Sequence, residues 1–495
     1  MLKLNAADAA FLYSETTRTP MHIASVQVLE LPGGIDCDRW IHSLRTYIGQ
    51  RLARVPYLTR KLMVTPWQLD HPNWIQTSDI DLARHIHRVN VPAPGGQPEF
   101  ESTIARLHEH PLDRSRPFWD MAILCGLKNG QVAVYNRVHH ACVDGMAGQD
   151  AIRHMMDETP DGVLTSVSFD EPASLVKEAP SPAQSLVSAF ENLARSQAEY
   201  LHTLPRMLDA WQHLQQHWMG SEAQWNGGNR LAPPTPLNKA VGSARTFAAG
   251  KISMSGIKTI AGSVHATVND VVLTLCGGAL RTYLGRMEAL PNESLLAGCP
   301  ISLRKPGDHS ANNQVTMMRV SLGTQIANPM VRLLHIKDAS KHAKRLTLDG
   351  LGLIRQAVAA PGLPWMMQMS ALGSDWLAST EPAVPTAVNV VVSNVPGPKS
   401  PLYFNGAKML THYPVSIPAH GLGVNIMVQS YANTLFVGIT ACERTLPDPT
   451  KLMDDLQATY RALLKIARKS VSTEPEVFEP GPTLPDPTSE PRHAA

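Results

Sequence analysis

Hydrophobic and polar positions along residues 1–178 alternate between the period of a strand and the period of a helix. Strand patterns, bounded by turn residues, cover Met21–Leu31, Trp119–Leu127 and Gln131–Val138. The Asn-Gly pair between the last two strands is typical of a β-hairpin. Apolar residues at helical spacing cover Asp38–Leu52 and Phe100–Glu109. The pattern predicts an α/β architecture.

A different pattern separates this part of the chain from the rest. Between Ser181 and Gly220, leucines, tryptophans and a phenylalanine recur at helical spacing, with prolines on both flanks. Strand and helix patterns then return, and the last residues are rich in proline without an apolar period. We therefore predict an N-terminal domain over 1–178, a helical connector over 179–238, a C-terminal domain over 239–470 and a disordered tail over 471–495.

Composition narrows the class of protein. Of 495 residues, 43% are hydrophobic and 17% charged, which excludes a chain that is disordered as a whole. The 44 basic and 42 acidic residues give a net charge of +2, so a globally basic nucleic-acid binder is excluded. The longest uncharged apolar run, Val271–Leu280, is about half the length that a membrane span needs. The N-terminus lacks the apolar core of a signal peptide, so we expect a cytoplasmic protein.

Six cysteines are scattered along the chain without a Cys-x-x-Cys pair. This spacing indicates neither a disulfide framework nor a zinc ribbon, and it fits a reducing compartment.

The run from Arg137 to Gly145 carries the candidate chemistry. Side chains alternate along a strand, so His140 shares a face with Val138 while His139 points the other way, and the two cannot converge on one metal ion. We expect no metal site and one working imidazole, suited to general-base catalysis. Two alternatives remain: the histidines are core residues with Asp144 as a helix N-cap, or Cys142 is a nucleophile rather than an inert buried thiol.

The motif His-His-x-x-x-Asp-Gly after a strand resembles the CoA-dependent acyltransferase superfamily, which includes chloramphenicol acetyltransferase and the condensation domains of peptide synthetases. More specifically, residues 4–465 resemble the bacterial wax ester synthase/diacylglycerol acyltransferases. Phe118 departs from the leucine usual in that family. The other matching segments are 4–8, 20–23, 116–119, 267–272, 300–304, 392–398, 413–416 and 444–447.

The resemblance implies two chloramphenicol-acetyltransferase-like domains, each a mixed sheet flanked by helices, with an active-site tunnel at their interface. It implies transfer of a fatty acyl group from acyl-CoA to a long-chain alcohol or diacylglycerol, without a covalent acyl-enzyme. Acyl-CoA is a substrate, so no cofactor is expected. His140 is the implied base and His139 shapes the tunnel. Asn269 and Asp270 line the channel opposite the histidine, with Asn269 as one candidate donor to the oxyanion. Asp144 orients the structure through an ion pair, for which Arg60 and Arg304 are the candidates. The implied substrate-binding residues are Gly145, Asp270, Phe118, Trp119, Ser393 and Asn394.

Structural interpretations of the same residues stay open. Asn269 and Asp270 begin an apolar helix that they could simply cap. Ser393–Pro398 follows an expected strand over Ala387–Val392 and has the Pro-Gly signal of a turn. Phe118 and Trp119 could be core packing. At the level of function, the alternatives are a condensation-type enzyme acting on carrier-protein thioesters and a non-catalytic lipid-binding relative.

Long-chain substrates and insoluble products imply work at the inner face of the membrane or at a lipid-droplet surface, without spanning it. Trp211, Trp218, Met219 and Trp225 of the connector could contact lipid, or could pack between the domains. The sequence leaves the oligomeric state open.

Overall fold

The computed structural model describes residues 2–64, 70–143, 231–302, 315–349 and 384–471. It also describes residues 151–152 and 154–162 and the isolated residues 148, 187, 191, 205, 369, 372, 373, 375 and 376. Asp144, Gly145, Arg304, the connector tryptophans and the tail beyond residue 471 lie outside the described residues.

Sixteen strands are described. In chain order they are β1 (Leu2–Lys3), β2 (His22–Glu30), β3 (Arg60–Met63), β4 (Asn73–Gln76), β5 (Ile86–Asn90), β6 (Trp119–Cys125), β7 (Val132–His139), β8 (Arg245–Ser253), β9 (Leu296–Ser302), β10 (Val315–Ser321), β11 (Val390–Val395), β12 (Tyr403–Phe404), β13 (Ala407–Met409), β14 (Tyr413–Val415), β15 (Val424–Tyr431) and β16 (Thr434–Cys442).

The helices that can be given bounds are α1 (Ala6–Ser14), α2 (Cys37–Gly49), α3 (Leu82–His85), α4 (Gln97–Leu107), α5 (Met254–Gly262), α6 (Val268–Arg286), α7 (Pro329–Asp349) and α8 (Pro449–Val471). Residues 52–54 and 56–59 form short 3-10 helices. Within the residues that the structure describes, no helix is both long enough and apolar enough to cross a membrane.

Two mixed sheets organise the molecule. The first has the strand order β12-β13-β2-β7-β6-β5, with β14 also paired to β2, and only β5 and β6 run parallel. The second has the order β10-β9-β11-β15-β16-β8, with β11 parallel to both of its neighbours. A small third sheet pairs β1, β4 and β3. The α/β class with mixed sheets flanked by helices is therefore confirmed.

The predicted hairpin is confirmed. β6 pairs antiparallel with β7, and the Gly130 N–H donates to the carbonyl of Leu127 at 3.0 Å. Gly130 has a φ of +68°, a conformation that glycine adopts without steric cost. The register Trp119↔Val138 fixes which side chains of the two strands share a face.

The C-terminal half of the chain contributes strands to the first sheet. Residues 403–415 leave the second sheet after β11, and β13 and β14 both pair with β2. β14 also packs closely on β16, where a Cβ added to Gly438 would lie on the carbonyl oxygen of Pro414. The two sheets thus meet tightly along β14, because a glycine removes the side chain that would hold them apart.

Two sequence expectations need correction. Cys37 and Cys125 are joined as a disulfide with Cα atoms 6.5 Å apart, since α2 packs beside the end of β6, while the other four cysteines are free and buried. The strand before Pro396 runs on to Val395, so Ser393 and Asn394 are strand residues rather than part of a turn. The parallel ladder with β15 extends it, pairing Ser393 with Met427.

A buried ion pair fastens the segment that follows the histidine motif. The Arg51 side chain is 2% exposed, lies 3.5 Å above the Tyr47 ring and donates to both carboxylate oxygens of Asp157 at 3.1 and 3.2 Å. Tyr47 donates to the same carboxylate at 2.7 Å, and Asp157 forms a β-bridge with Tyr403. Residues 155 and 156 are thereby held against the first sheet.

We expect Asp157→Ala to lower the free energy of unfolding by ~3–5 kcal/mol, because it leaves the Arg51 guanidinium buried without its carboxylate. Urea unfolding measures the change. The control is Arg39→Ala. The Arg39 side chain is 79% exposed, so its removal should change the free energy of unfolding by no more than ~0.5 kcal/mol. Equal stability of the two variants would show that the Arg51 pair does not hold this segment.

Candidate active site

The two adjacent histidines lie on opposite faces of the first sheet. β7 ends at His139, and the backbone N–H of His140 donates to the carbonyl of Met21 at 2.8 Å, which continues the ladder with β2 by one residue. The imidazole of His140 stacks on the ring of Phe11, with centroids 4.1 Å apart and an angle of 6° between the planes. His140 is half-buried, whereas His139 is 1% exposed.

Local sequence explains how Phe11 reaches the imidazole. Asn5 caps α1: its side-chain oxygen accepts the backbone N–H of Asp8 at 2.7 Å, and its amide donates to the Asp8 carboxylate at 2.9 Å. Side chains of Ser, Asp and Asn at this position stabilise a helix start by about 1 kcal/mol. The reciprocal cap fixes where α1 begins, and so places Phe11 over His140.

A buried carboxylate lies beside His139. Glu15 has a side chain 3% exposed; its Oε1 is 3.4 Å from Nε2 of His139 and accepts the backbone N–H of Met21 at 3.0 Å. Its other oxygen accepts from Arg114 at 2.9 Å. Burial raises the pKa of Glu15, but the interactions with His139, Met21 and Arg114 outweigh burial and lower the pKa to about 2. Glu15 is therefore ionised at neutral pH.

The backbone of Ala141 determines the tautomer of His139. The backbone N–H of Ala141 donates to Nδ1 of His139 at 3.1 Å, so Nδ1 is an acceptor and the proton of the neutral ring lies on Nε2, facing Glu15. The backbone of Met21 connects Glu15 to His140, because its N–H donates to Glu15 and its carbonyl accepts the N–H of His140. The carboxylate orients His139 directly and His140 through the backbone.

Two further imidazoles on the His139 face of the sheet are neutral. Burial lowers the pKa of His108 to about 3, and its two ring nitrogens contact the Tyr135 hydroxyl and the Ser416 carbonyl, each at 2.8 Å. Burial and the nearby His108 lower the pKa of His22, the cross-strand partner of His139. The negative charge of Glu15 is thus not offset by histidine cations from this face.

A narrow, mostly apolar cavity runs along the His140 face of the first sheet. It begins at the cross-strand pair Ile23 and Val138, two residues before His140 on the same face. It continues past Val134, and β14 and β15 of the C-terminal half close its far side. Four methionines, Met121, Met155, Met156 and Met427, contribute to the wall. Methionine side chains adapt their shape, so the wall can adjust to an apolar ligand.

The two residues predicted on the second domain begin α6. Asp270 is 4% exposed and forms a capping box: its carboxylate accepts the Thr267 N–H at 2.9 Å and the Thr267 hydroxyl at 2.7 Å. Asn269 is half-buried in the first turn of α6. Within the described residues, no hydrogen bond joins Asn269 to His139 or His140. The capping interpretation of Asp270 is therefore observed, and a role of Asn269 in the channel stays a prediction.

The remaining predicted substrate contacts separate into two groups. Trp119 lines the cavity, and its Nε1–H donates to the Leu58 carbonyl at 2.9 Å, which fixes the indole. Phe118 lies on the other side of the strand in a core with Trp74, its ring 5.1 Å from that of His139. Ser393 pairs with the cavity residue Met427, whereas Asn394 alternates to the opposite face of β11.

The structure bears on three further expectations from the sequence: a Cys142 nucleophile, an arginine partner for Asp144 and a metal site. Burial raises the pKa of the Cys142 thiol well above its usual range, so the thiolate needed for attack is not formed at neutral pH. Arg60 is buried at the start of β3, whereas its predicted partner Asp144 is not described. Over the described ranges, no three His, Cys, Asp or Glu side chains cluster as metal ligands.

Glu15 and Phe11 are the site residues that sequence reasoning missed. Glu15 is 124 positions away from His139, and no local pattern marks it. The sequence signal for it was its place in a segment whose flanks, residues 4–8 and 20–23, match the family resemblance.

Comparison with known proteins gives matches over most of the chain. Residues 4–272 match the model of the wax ester synthase/diacylglycerol acyltransferase catalytic domain, and residues 311–464 match the C-terminal domain of the same family. A Mycobacterium tuberculosis protein provisionally named a diacylglycerol O-acyltransferase is 32% identical over 93% of this chain and 99% of its own length. Another protein of that organism, named in the same way, is 31% identical over 94% of this chain and 90% of its own.

Two solved structures superpose on most of this chain. The wax ester synthase/diacylglycerol acyltransferase from Marinobacter aquaeolei VT8 superposes with a TM-score of 0.65 at 27% identity, covering 94% of this chain and 100% of that one. The first condensation domain of the calcium-dependent antibiotic synthetase superposes with a TM-score of 0.57 at 14% identity, covering 94% and 96%. The second likeness concerns the fold alone.

We expect Glu15→Gln to lower the free energy of unfolding at pH 7 by about 3 kcal/mol, the equivalent of lowering a pKa from 4.5 to about 2. Because the folded pKa is the lower one, this stabilisation is present above pH 4.5 and is lost as the pH falls towards 2. The difference between wild type and variant should therefore shrink over that interval. Urea unfolding between pH 7 and pH 2 measures it.

Glu30→Gln is the matched control, since Glu30 is exposed at the end of β2. A gap between wild type and Glu15→Gln that stays constant down to pH 2 would contradict the assignment of a low pKa to Glu15.

Proposed function

Because the chain belongs to the wax ester synthase/diacylglycerol acyltransferase family, we propose that it transfers a fatty acyl group from acyl-CoA to a long-chain alcohol or to diacylglycerol. The observation that carries this proposal is the place of His140. Its imidazole is held at the end of β7, on the same face as an apolar cavity that suits an alkyl chain. In the proposal, residues 1–178 and 239–470 act as two units, with the reaction between them.

His140 acts as the general base. Its imidazole takes the proton of the acceptor hydroxyl while that oxygen attacks the thioester carbonyl, and a tetrahedral intermediate forms. The C–S bond then breaks, CoA leaves as a thiolate, and the imidazolium of His140 returns the proton to the sulfur. No covalent acyl-enzyme is needed. Stacking on Phe11 and the hydrogen bond to Met21 keep the ring in one orientation, which reduces the entropy lost in reaching the transition state.

Charge near the histidines favours this step. Glu15 is an ionised carboxylate beside His139, and it is connected to His140 through the backbone of Met21; in the proposal its negative charge favours the imidazolium that forms on His140. His139 shapes the site from the other face of the strand. The oxyanion needs a hydrogen-bond donor, for which Asn269 is the candidate, presented by a helix start that Asp270 caps. Asp144 and Gly145 complete the motif and are assigned by the family resemblance.

The acyl or alkyl chain occupies the cavity along β7. Trp119 and the methionines supply its apolar wall, and Ser393, the strand partner of Met427, is the proposed contact from β11. Burial of methylene groups contributes about 0.8 kcal/mol each, so a long chain binds well in such a cavity and a short one does not.

We expect His140→Ala to abolish transfer and leave the fold intact, because the base is lost while the Met21 hydrogen bond uses only the backbone of residue 140. The assay is release of free thiol from palmitoyl-CoA with hexadecanol or diacylglycerol as acceptor. The melting temperature of the variant checks its folding.

His139→Ala is the comparison variant. It should lower stability, since Glu15 loses its buried partner, and should reduce the rate less than His140→Ala. If His140→Ala keeps a substantial share of the wild-type rate, another residue is the base. If wild type releases thiol only from carrier-protein thioesters, a condensation-type reaction replaces this proposal.

Work at a membrane or lipid-droplet surface is part of the proposal, because both chains and the product are insoluble in water. The connector tryptophans predicted to contact lipid lie outside the described residues. We expect the wild-type protein to float with anionic liposomes in a density gradient and to sediment without them. Failure to float at low ionic strength would remove surface association from the proposal.

A further inference from the structure

The cavity along β7 is not apolar throughout. A band of polar side chains crosses its wall, formed by Ser25 and Gln27 of β2, Asn136 of β7 and Gln429 of β15. Ser25 and Asn136 are cross-strand partners, so their side chains stand side by side on the cavity face. Gln429 comes from the second sheet and faces the cavity from the other side. The band therefore surrounds the cavity and does not mark one edge of it.

These groups keep hydrogen-bonding capacity. Gln27, 1% exposed, donates one amide N–H to Ser25 Oγ at 2.7 Å, and the amide nitrogen of Gln429, also 1% exposed, contacts Nδ1 of His412 at 3.1 Å. Asn136 is half-buried, and its side-chain amide makes no hydrogen bond to any described residue. A cavity-lining amide to which no described residue bonds is costly to cover with hydrocarbon. A ligand oxygen beside Asn136 removes that cost.

The band lies at a defined depth. Asn136 and His140 are four residues apart on the same face, which at ~3.3 Å per residue places them about 13 Å apart along the strand. A chain that has its reacting carbon at His140 and runs along β7 meets the band near its middle. Ile23 and Val138, the residues between His140 and the band, are apolar, so the first part of the chain is held by hydrocarbon contacts alone.

We propose that the chain bound in this cavity carries an oxygen function near its middle, a hydroxyl or keto group that Asn136 and Ser25 hydrogen-bond. This inference rests on the proposed function, since it takes His140 as the reacting end. It assigns Asn136 as a specificity-determining residue. A site that hydrogen-bonds a polar group of its substrate strongly rejects an analogue that lacks this group. An apolar pocket rejects an analogue with an added hydroxyl much less strongly. The oxygenated chain can belong to the acyl donor or to the acceptor alcohol.

The first experiment measures binding without turnover. Isothermal titration of the full-length protein with 12-hydroxystearate and with stearate should give at least about tenfold tighter binding of the hydroxy acid. Asn136→Leu should bring the two affinities to within about twofold of each other. Met155→Leu is the matched control: it changes an apolar lining residue at nearly constant volume, and should keep the preference. Equal affinity of the wild type for both acids overturns the proposal.

The second experiment separates the two sources of the chain. In one arm 12-hydroxystearoyl-CoA competes with stearoyl-CoA for hexadecanol, and in the other 12-hydroxyoctadecanol competes with octadecanol for palmitoyl-CoA. A preference in the first arm assigns the cavity to the acyl chain, and one in the second arm assigns it to the acceptor. If Asn136→Leu has a lowered melting temperature, Gln429→Met tests the same band from the other sheet. A preference that survives in both variants contradicts the role of the band.

The outcome also distinguishes this inference from the proposed function. A protein that binds the hydroxy acid preferentially but releases no thiol from either CoA ester supports the selectivity of the cavity and contradicts the transfer reaction. A protein that transfers hydroxylated and plain chains equally supports the reaction and contradicts the selectivity.

Discussion

The antiparallel register between β2 and β7 is the constraint on which the rest of the site depends. The pairs His22↔His139 and Ile23↔Val138 place His139 and His140 on opposite faces of the sheet. A slip of one residue would exchange the two faces of the strand. The His140 side chain would then point to the face where the buried imidazole of His139 now lies. The same ladder sets the row of residues that lines the cavity, so the orientation of His140 and the direction of the cavity have one structural origin.

Glu15 fixes this register at the end where it matters. A carboxylate taken out of water is destabilising unless charged and hydrogen-bonding partners replace the water, and here Arg114, His139 and the Met21 N–H do so. Because Met21 is bound on one side by Glu15 and on the other by the N–H of His140, the carboxylate secures the last rung of the ladder. A neutral side chain of the same size could pack there, but it would leave the histidine pair without a negative charge.

Whether the sequence could predict an interaction depends on how far apart its residues are along the chain. The hairpin of β6 and β7 and the opposed faces of the two histidines depend on neighbours within a few residues, and alternation along the strand was enough to find them. Contacts between distant segments could not be found in this way. Phe11 on His140, Glu15 under His139, the Cys37–Cys125 pair and the insertion of β13 and β14 beside β2 all join residues far apart in the chain. The length of β11 was misjudged for the same reason, since its pairing with β15 overrides the local turn signal.

The fold by itself does not define the substrate. A peptide-synthetase condensation domain shares this architecture at 14% identity, so the fold leaves the ligand open, and in our proposal selectivity comes from the side chains that line the cavity. The wall of this cavity combines two kinds of group with different physical consequences. Methionines adapt to whatever apolar shape is present and discriminate weakly, whereas amides on rigid strands hold their hydrogen-bonding directions and discriminate strongly. Asn136 and Gln429 stand on central strands of two different sheets, so in the proposed site the oxygen function of a bound chain lies between polar side chains that both sheets hold in place.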